Sequence, residues 1–317
     1  MRIINYELGS LLEKEIADSV SAIGFFDGLH EGHKQLIKRA ISEAKAKGIK
    51  SSMITFSPSP ASVITGNKEE LLTTVNERVK IAESLGVDQF IILKFTRELS
   101  SLTPDEFHQE VIGKLKIKHL VCGEDFRYGT KGSGSVETLK NVEGLDLSVI
   151  NDYKANNKRI SSTLIKESLK SSKVEDANEL LGYPYFIDGF VKHGRKKGRT
   201  IGFPTINLDY PENKILLSDG IYIGITTIDN KNYVSTINVG HNPTINTVTK
   251  KSIESFVHDF KSNVYDKKVR FSFIVKVREE LKFDNVQELI DQMHKDIEIS
   301  ELFFNEDNRR RYNIEAV

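Results

Sequence analysis

Two histidines, His30 and His33, flank a glycine in the stretch GFFDGLHEGHKQLI, Gly24 to Ile37. An apolar run precedes them, and Leu36, Ile37, Ala40, Ile41 and Ala44 come after at helical spacing. A helix that begins near Gly32–His33 aims its free amides into the space before it, and a nearby glycine lets the backbone approach an anion. Two imidazoles there can donate to phosphate oxygens. They act most where charge develops, on a phosphorus under attack and on departing pyrophosphate. Such chemistry needs positioning and charge stabilisation, without a covalent intermediate. Two other readings stand beside it. The pair could be surface histidines, or part of a zinc set that would have to draw on Cys122 and His108, neither of which is in the local stretch.

A second group lies in HGRKKGRTIGFPTINLD, residues 193–209. Its basic run alone suggests nucleic acid or a solvated loop. The segment beyond that run is more informative. Pro204 precludes a helix, so Thr205 and Asn207, two apart on an extended chain, point to the same side. A hydroxyl and an amide oxygen on one face suit magnesium, a hard cation that takes oxygen ligands beside substrate phosphates. Gly194, Gly198 and Gly202 would let a loop close around those phosphates. A third group is RISSTLIKESL, residues 159–169. There Ser161 and Ser162 can cap the following helix, and Arg159 offers a planar fork for phosphate. Read alone, it is simply a capped helix. Glu254, within SIESFVHDF, reads alone as a solvent-facing residue of a strand.

These residues need elements to hold them. The first half alternates strands (19–26, 50–56, 89–95, 118–123) with helices (from His33 to Gly48, 76–85, and one opened by Thr103 as N-cap, Pro104 at N1 and Glu106 at N3). SPSPASVITGN reads as a loop. This alternation predicts a Rossmann-like parallel sheet with right-handed crossovers, which binds ligands beyond the carboxyl ends of its strands. Near Leu181–Pro184 the pattern changes. Six strand-like runs then come without helices between them, which predicts a small antiparallel β-barrel. One closing helix ends the chain, with Asp284 or Asn285 as N-cap and Val286, Leu289, Ile290, Met293 and Ile297 as an apolar stripe expected to pack on the barrel. The expected domains are 1–182 and 183–317.

Composition bounds the partners. With 317 residues, two domains are expected. Net charge is +0 and the pI about 7.1, so neither nucleic acid nor an anionic membrane is indicated. One cysteine excludes an internal disulfide and favours an intracellular setting. The first residues carry acids and no apolar h-region, and no window is apolar enough to span a bilayer. The expectation is a cytoplasmic protein.

GFFDGLHEGH resembles the G-x-F-D-G-x-H-x-G-H signature of the nucleotidyltransferase superfamily. More narrowly it resembles the adenylyltransferase half of the bifunctional prokaryotic FAD synthetases (riboflavin kinase/FMN adenylyltransferase). VCGEDFRYGTKGSG, RISSTLIKESL and TFSPSP are similar to that family's further segments, each in its place. GRTIGFPTIN closely resembles its riboflavin kinase signature, INVGHNPTI its N-V-G-x-x-P-T-F, and SIESFVHDF its V-E-x-H-I-L-D-F. Ser59 stands where the family usually has histidine, Lys166 where it has arginine, and Tyr128 where it has phenylalanine.

The resemblance implies roles. His30 and His33 would bind ATP phosphates and stabilise the transition state, with Phe26, Asp27, Gly28 and Gly32 lining the ATP and flavin crevice. Asp125 and Arg127 would hold flavin or ribose, and Arg159, Ser162 and Thr163 would grip phosphates. Gly194, Gly198, Gly202, Thr205 and Asn207 would form the kinase's nucleotide and Mg2+ site, and Glu254 would be its base. A carboxylate suits that task, because riboflavin's 5′-hydroxyl must give up a proton as the γ-phosphoryl arrives. The implied activity is phosphorylation of riboflavin to FMN by ATP, then adenylyl transfer to give FAD and pyrophosphate. The implied partners are riboflavin, FMN, FAD, ATP and a divalent cation; a weak homo-oligomer is a further expectation. Two rival readings are a kinase whose first domain does not transfer adenylyl, from Ser59 and Lys166, and a flavin- or nucleotide-sensing protein.

Overall fold

The computed structural model describes residues 1–11, 16–151, 153–155, 158–193, 201–241 and 251–314. The chain forms two compact units, Met1–Ser162 and Thr163–Val317.

The first unit is built on six parallel strands, β1 (Arg2–Tyr6), β2 (Ser19–Ile23), β3 (Lys50–Ser57), β4 (Gln89–Lys94), β5 (Ile117–Gly123) and β6 (Asp146–Ile150), in the order β1-β4-β3-β2-β5-β6. All five residues of β2 are buried, as expected of a central strand covered on both faces. Successive residues serve opposite layers. Ile91 and Ile54 join a core with Val111, Leu115 and Leu139, whereas Phe90 and Met53 join one with Ile37, Ala40 and Ala82.

Local signals in the chain set the helix ends. Helix α1 (Glu31–Lys47) stops at Gly48, whose φ of 67° is the left-handed cap. Two more helices come after β3, α2 (Pro60–Thr65) and α3 (Val75–Ser84); Thr74 and Glu77 form a capping box on the second. Beyond β4 come α4 (Arg97–Ser101) and α5 (Pro104–Phe107), the latter with the Thr103–Glu106 capping box the sequence predicts, continuing as a π-helical turn to Gly113. Helix α6 (Val136–Lys140) precedes β6, and a two-residue hairpin, β7 (Lys154–Ala155) and β8 (Lys158–Arg159), closes the unit.

Three features depart from the sequence reading. β1 and β6, the two edge strands, lie outside the four strands it identifies. The loop read after residue 56 contains α2, with Ser59 as N-cap, Pro60 at N1 and Gly66 at the left-handed C-cap.

The second unit begins with α7 (Ser162–Lys170), which straddles the division between units, and α8 (Val174–Leu181). Asn178 on α8 donates to the carbonyls of Phe273 and Ile274 and accepts from the Tyr185 amide at 2.6 Å, so α8 sides with the barrel. The barrel closes in the order β10-β13-β12-β11-β14-β9, every pairing antiparallel. Its strands are β9 (Tyr185–Lys192), β10 (Thr205–Asp209), β11 (Gly220–Ile228), β12 (Lys231–His241), β13 (Lys251–Val257) and β14 (Lys268–Arg278). Ile206, Ser255, Ile237 and Tyr222 stand on paired positions and are buried, so they face inward. Thr205, Asn207 and Glu254 alternate with them and face outward, half-buried.

Helix α9 (Val286–Phe303), with Asn285 as N-cap, lies on the barrel, and α10 (Glu306–Arg311) comes after it. The predicted apolar stripe is not its deepest face. Val286 is exposed, Leu289, Ile290, Met293 and Ile297 are half-buried, and the buried helical positions are Asp296 and Ser300. Arg278 grips Asp296 with two nitrogens at 2.9 and 2.6 Å, and Ser300 meets Thr236 at 3.0 Å. Polar partners on the barrel, which helical periodicity cannot report, decide the docking face. Removing one member of a buried pair strands the other charge. Asp296→Ala should therefore lower the stability of the second unit by about 3–5 kcal/mol, read as a fall in the urea midpoint of its unfolding transition. An unchanged midpoint would show that α9 docks by its apolar stripe instead.

Candidate functional site

The first site grows from the turn that leaves β2. Phe26 and Leu29 adopt φ of 55° and 40°, and Gly28 adopts 83°. A left-handed residue other than glycine costs on the order of 1 kcal/mol, so this turn must be held from outside. Arg78, on α3 and 1% exposed, donates to the Phe25 carbonyl at 2.7 Å and to the Thr55 hydroxyl at 2.6 Å. Thr55 itself donates to the Phe25 carbonyl at 2.8 Å. Thr73 accepts from the Gly28 amide at 2.8 Å and its own amide donates to Asp27 at 2.9 Å. Ser162 donates to the Asp27 carbonyl at 2.8 Å.

Held this way, the turn delivers His30 to the N-cap of α1, where its Nδ1 accepts from the His33 amide at 3.3 Å. The two imidazoles stack with centroids 3.6 Å apart, and Phe26 abuts His33 edge-on at 5.2 Å. Gly32 leaves room for this stack, since a Cβ there would fall 3.2 Å from the His30 ring. Burial pushes His30 down to about 4, helped by Lys34 and Arg159. Burial, then His30 and Arg78, holds His33 well below the usual imidazole range. Both rings are therefore neutral near pH 7. Because His30 Nδ1 accepts, its proton sits on Nε2 and is available for donation.

The loop after β5 comes near the same turn through Arg159, whose charge also acts on His30. Asp125 is ion-paired with Arg159. Arg127 is exposed and donates to its neighbour's carbonyl at 3.1 Å. Tyr128 anchors the loop, with its hydroxyl 2.7 Å from His108 and 2.8 Å from Thr138. His108 is thus engaged there, and Cys122 is enclosed, its thiol pushed up to about 12 by burial. Ser59 caps α2 and donates to Glu69.

The second site lies on the outer face of the barrel. The Thr205 hydroxyl donates to Glu254 Oε2 at 3.1 Å, and Asn207 is directly paired with Glu254 across β10 and β13. Phe203 packs edge-on against Phe256 at 5.6 Å and His294 of α9 at 5.1 Å, fixing the start of β10. Gly202, at φ 91°, turns the chain into Phe203. Gly194 and Gly198 lie outside the described residues.

Residues 12–164 match the family model for FAD synthetase, and residues 181–304 match that for riboflavin kinase. A Bacillus subtilis protein, the bifunctional riboflavin kinase/FMN adenylyltransferase, is 36% identical over 292 residues, covering 90% of this chain and 92% of its own. The Listeria monocytogenes protein of the same name is 34% identical, covering 90% and 93%. The chain belongs to the bifunctional riboflavin kinase/FMN adenylyltransferase family. A crystal structure from Streptococcus pneumoniae, described as a macrolide-efflux protein, superposes with a TM-score of 0.86 at 28% identity, covering 95% of this chain and 99% of that one. Among the described residues here, no helix is long and apolar enough to cross a membrane.

Within this family frame, the structure brings together His30, His33, Phe26, Asp27, Gly28, Gly32 and Ser162 at one turn, and Thr205, Asn207 and Glu254 at one sheet face. Asp125 and Arg159 meet each other. Thr163 is exposed on α7, beyond the division between units. Sequence reasoning misses Arg78, Thr55 and Thr73. The buried arginine sits within an otherwise ordinary amphipathic helix, and its partners are 23 and 53 residues away.

Neutral histidines make a testable link to pH. Both folded pKa values lie below the unfolded one, so the unfolded chain binds more protons as pH falls. The stabilisation from keeping these rings neutral is complete above about 6.5 and is lost progressively toward pH 4. The His30 imidazole should titrate near 4 when monitored by NMR, and that shift alone should cost the first unit on the order of 2 kcal/mol between pH 7 and pH 5. A His30 midpoint above 6 would contradict this geometry.

Proposed function

We propose that this chain phosphorylates riboflavin with ATP in the portion 183–317 and transfers adenylyl from ATP to FMN in the portion 1–182. The observation that carries the reading is the outward triad of the barrel, Thr205 bonded to Glu254 with Asn207 paired opposite. It sets a carboxylate base beside two oxygen donors.

In the kinase reaction, Glu254 accepts the proton of the riboflavin 5′-hydroxyl as its oxygen bonds to the γ-phosphorus and the bond to ADP breaks. Thr205 orients that carboxylate through its hydrogen bond. The hydroxyl of Thr205 and the amide oxygen of Asn207 are a hard-oxygen pair on one face, which fits Mg2+. Bound there, the cation would offset phosphate charge. By the family resemblance, Gly194, Gly198 and Gly202 would serve nucleotide binding.

In the adenylyl transfer, a phosphate oxygen of FMN bonds to the α-phosphorus of ATP and the bond to pyrophosphate breaks. The attacking oxygen is already anionic, so no general base is needed. Neutral His30 and His33 serve as hydrogen-bond donors at the N-terminus of α1, where the helix dipole also favours the anion. Their neutrality is useful, because a ring already carrying a positive charge would hold the product pyrophosphate more tightly. Arg159, Ser162 and Thr163 grip phosphates. Asp125 and Arg127 hold flavin or ribose, and Phe26, Asp27 and Gly28 line the crevice. The rival reading of an idle first unit rests on Ser59 and Lys166. Ser59, however, has a structural task of its own as the cap of α2.

The test is a product assay with riboflavin, ATP and magnesium that resolves FMN from FAD. The wild type should form both. His30→Ala with His33→Ala should lower FAD formation by about 10²–10³-fold and spare FMN. Thr205→Ala or Glu254→Gln should lower FMN formation by about 10²–10⁴-fold and spare FAD made from supplied FMN. Parallel loss of both activities in either variant would rule out separate sites.

A further inference from the structure

The register of the barrel extends the kinase triad by one strand. Asn207 pairs with Glu254, and Glu254 pairs in turn with Asn238 on β12. Paired positions share a face, so these three side chains form one row, with neighbouring strands roughly 5 Å apart. The carboxylate of Glu280 lies over the same face. A Cβ on Gly240, two residues beyond Asn238, would collide with it. Asn238 lies close enough to Glu280 to oppose the rise that burial gives its carboxyl.

That proximity favours one orientation of the amide. A carboxylate accepts, so the NH2 of Asn238 must face Glu280 and its Oδ1 must face away. Asn238 Oδ1 is enclosed and has no hydrogen-bond partner among the described residues. Glu254, its neighbour in the row, has carboxylate oxygens that accept rather than donate. An enclosed acceptor between two carboxylates is left wanting a donor, and leaving it so is costly.

We infer that Asn238 Oδ1 accepts a hydrogen bond from a secondary hydroxyl on the side chain of the alcohol substrate, with Glu280 holding the amide in the accepting orientation. The row has a direction. Thr205 and Asn207, the oxygen donors suited to the cation and phosphates, stand on one side of Glu254. Asn238 stands on the other. A hydroxyl whose proton Glu254 takes therefore has the nucleotide toward β10 and the rest of its own molecule toward β12. A polyhydroxylated chain supplies a donor there, and a plain alkyl chain does not. The inference rests on the kinase reading and deepens it, by naming the part of the substrate that the barrel reads.

The experiment measures steady-state phosphorylation with ATP, magnesium and two acceptors. One is riboflavin; the other is a flavin whose 10-hydroxypentyl chain keeps the terminal hydroxyl alone. Asn238→Ala should raise the KM for riboflavin at least tenfold, leave the KM for ATP within twofold, and leave the KM for the hydroxypentyl flavin unchanged. Asn238→Asp places an anion beside Glu254 and Glu280 and should be impaired. Adding Glu280→Gln should restore it, because the new amide donates to the carboxylate introduced at position 238 and frees its other oxygen to accept. Equal effects of Asn238→Ala on both acceptors, a shift confined to ATP, or no restoration in the double variant would overturn the inference. Wild-type protein that forms no FMN would instead overturn the kinase reading on which it stands.

Discussion

Arg78 is a full charge with almost no access to water, and the first site depends on how that charge is satisfied. Burial lowers its pKa to about 10, with Asp27, Glu77 and Glu69 opposing the fall, so it remains cationic. Its guanidinium lies 4.9 Å from the centre of the Phe25 ring and donates to the Phe25 carbonyl and Thr55. These bonds secure the start of a turn in which two residues other than glycine are left-handed. Without them the Phe25 carbonyl would keep only its bond from Thr55, and the backbone would have reason to relax. The charge also reaches His33, where it helps keep the ring neutral. One residue thus sets both the shape of the turn and the protonation of the imidazole it delivers.

The barrel solves the same problem by different means. No strained turn is needed, because antiparallel register alone sets Asn207, Glu254 and Asn238 side by side. What must be controlled there is orientation, since carboxylates and amides rotate about their last torsion. Thr205 constrains Glu254, and Glu280 constrains Asn238. The Phe203 ring, set between Phe256 and His294, fixes where β10 begins and therefore which of its residues face out. The polar docking of α9 through Asp296 and Ser300 leaves its apolar stripe only half covered, beside Phe203 on the same outer face.

How much of this could be read in the chain depends on the range of the cause. Capping boxes at Thr103–Glu106, a glycine stop at Gly48 and alternating burial in β13 are local, and sequence alone exposes them. The parallel sheet and the barrel are implied by their order. The edge strands β1 and β6 carry weaker patterns, because an edge is covered less and need not be continuously apolar. The site residues divide the same way. Histidines at a strand-to-helix turn and oxygen donors two apart on a strand announce themselves. Arg78 and Thr73 do not, since each acts on a turn about fifty residues earlier. Asn238 sits within a motif, but Glu280 comes after two further strands, and only the fold brings its carboxylate over the same face.

Two chemistries with opposite needs explain why the two sites are built so differently. In the proposed kinase reaction an alcohol gives up a proton during phosphoryl transfer, so the barrel would need a carboxylate that accepts, a task suited to the half-buried Glu254. In the proposed adenylyl transfer the phosphate nucleophile has no proton to lose, so the first site could dispense with a base and rely on donors. Burial serves that end directly: it strips charge from His30 and His33 while leaving their N–H groups intact. Neutral donors can track charge as it moves from the α-phosphorus to the leaving pyrophosphate without adding a fixed attraction for either. The same burial that would spoil a carboxylate base improves a pair of imidazole donors.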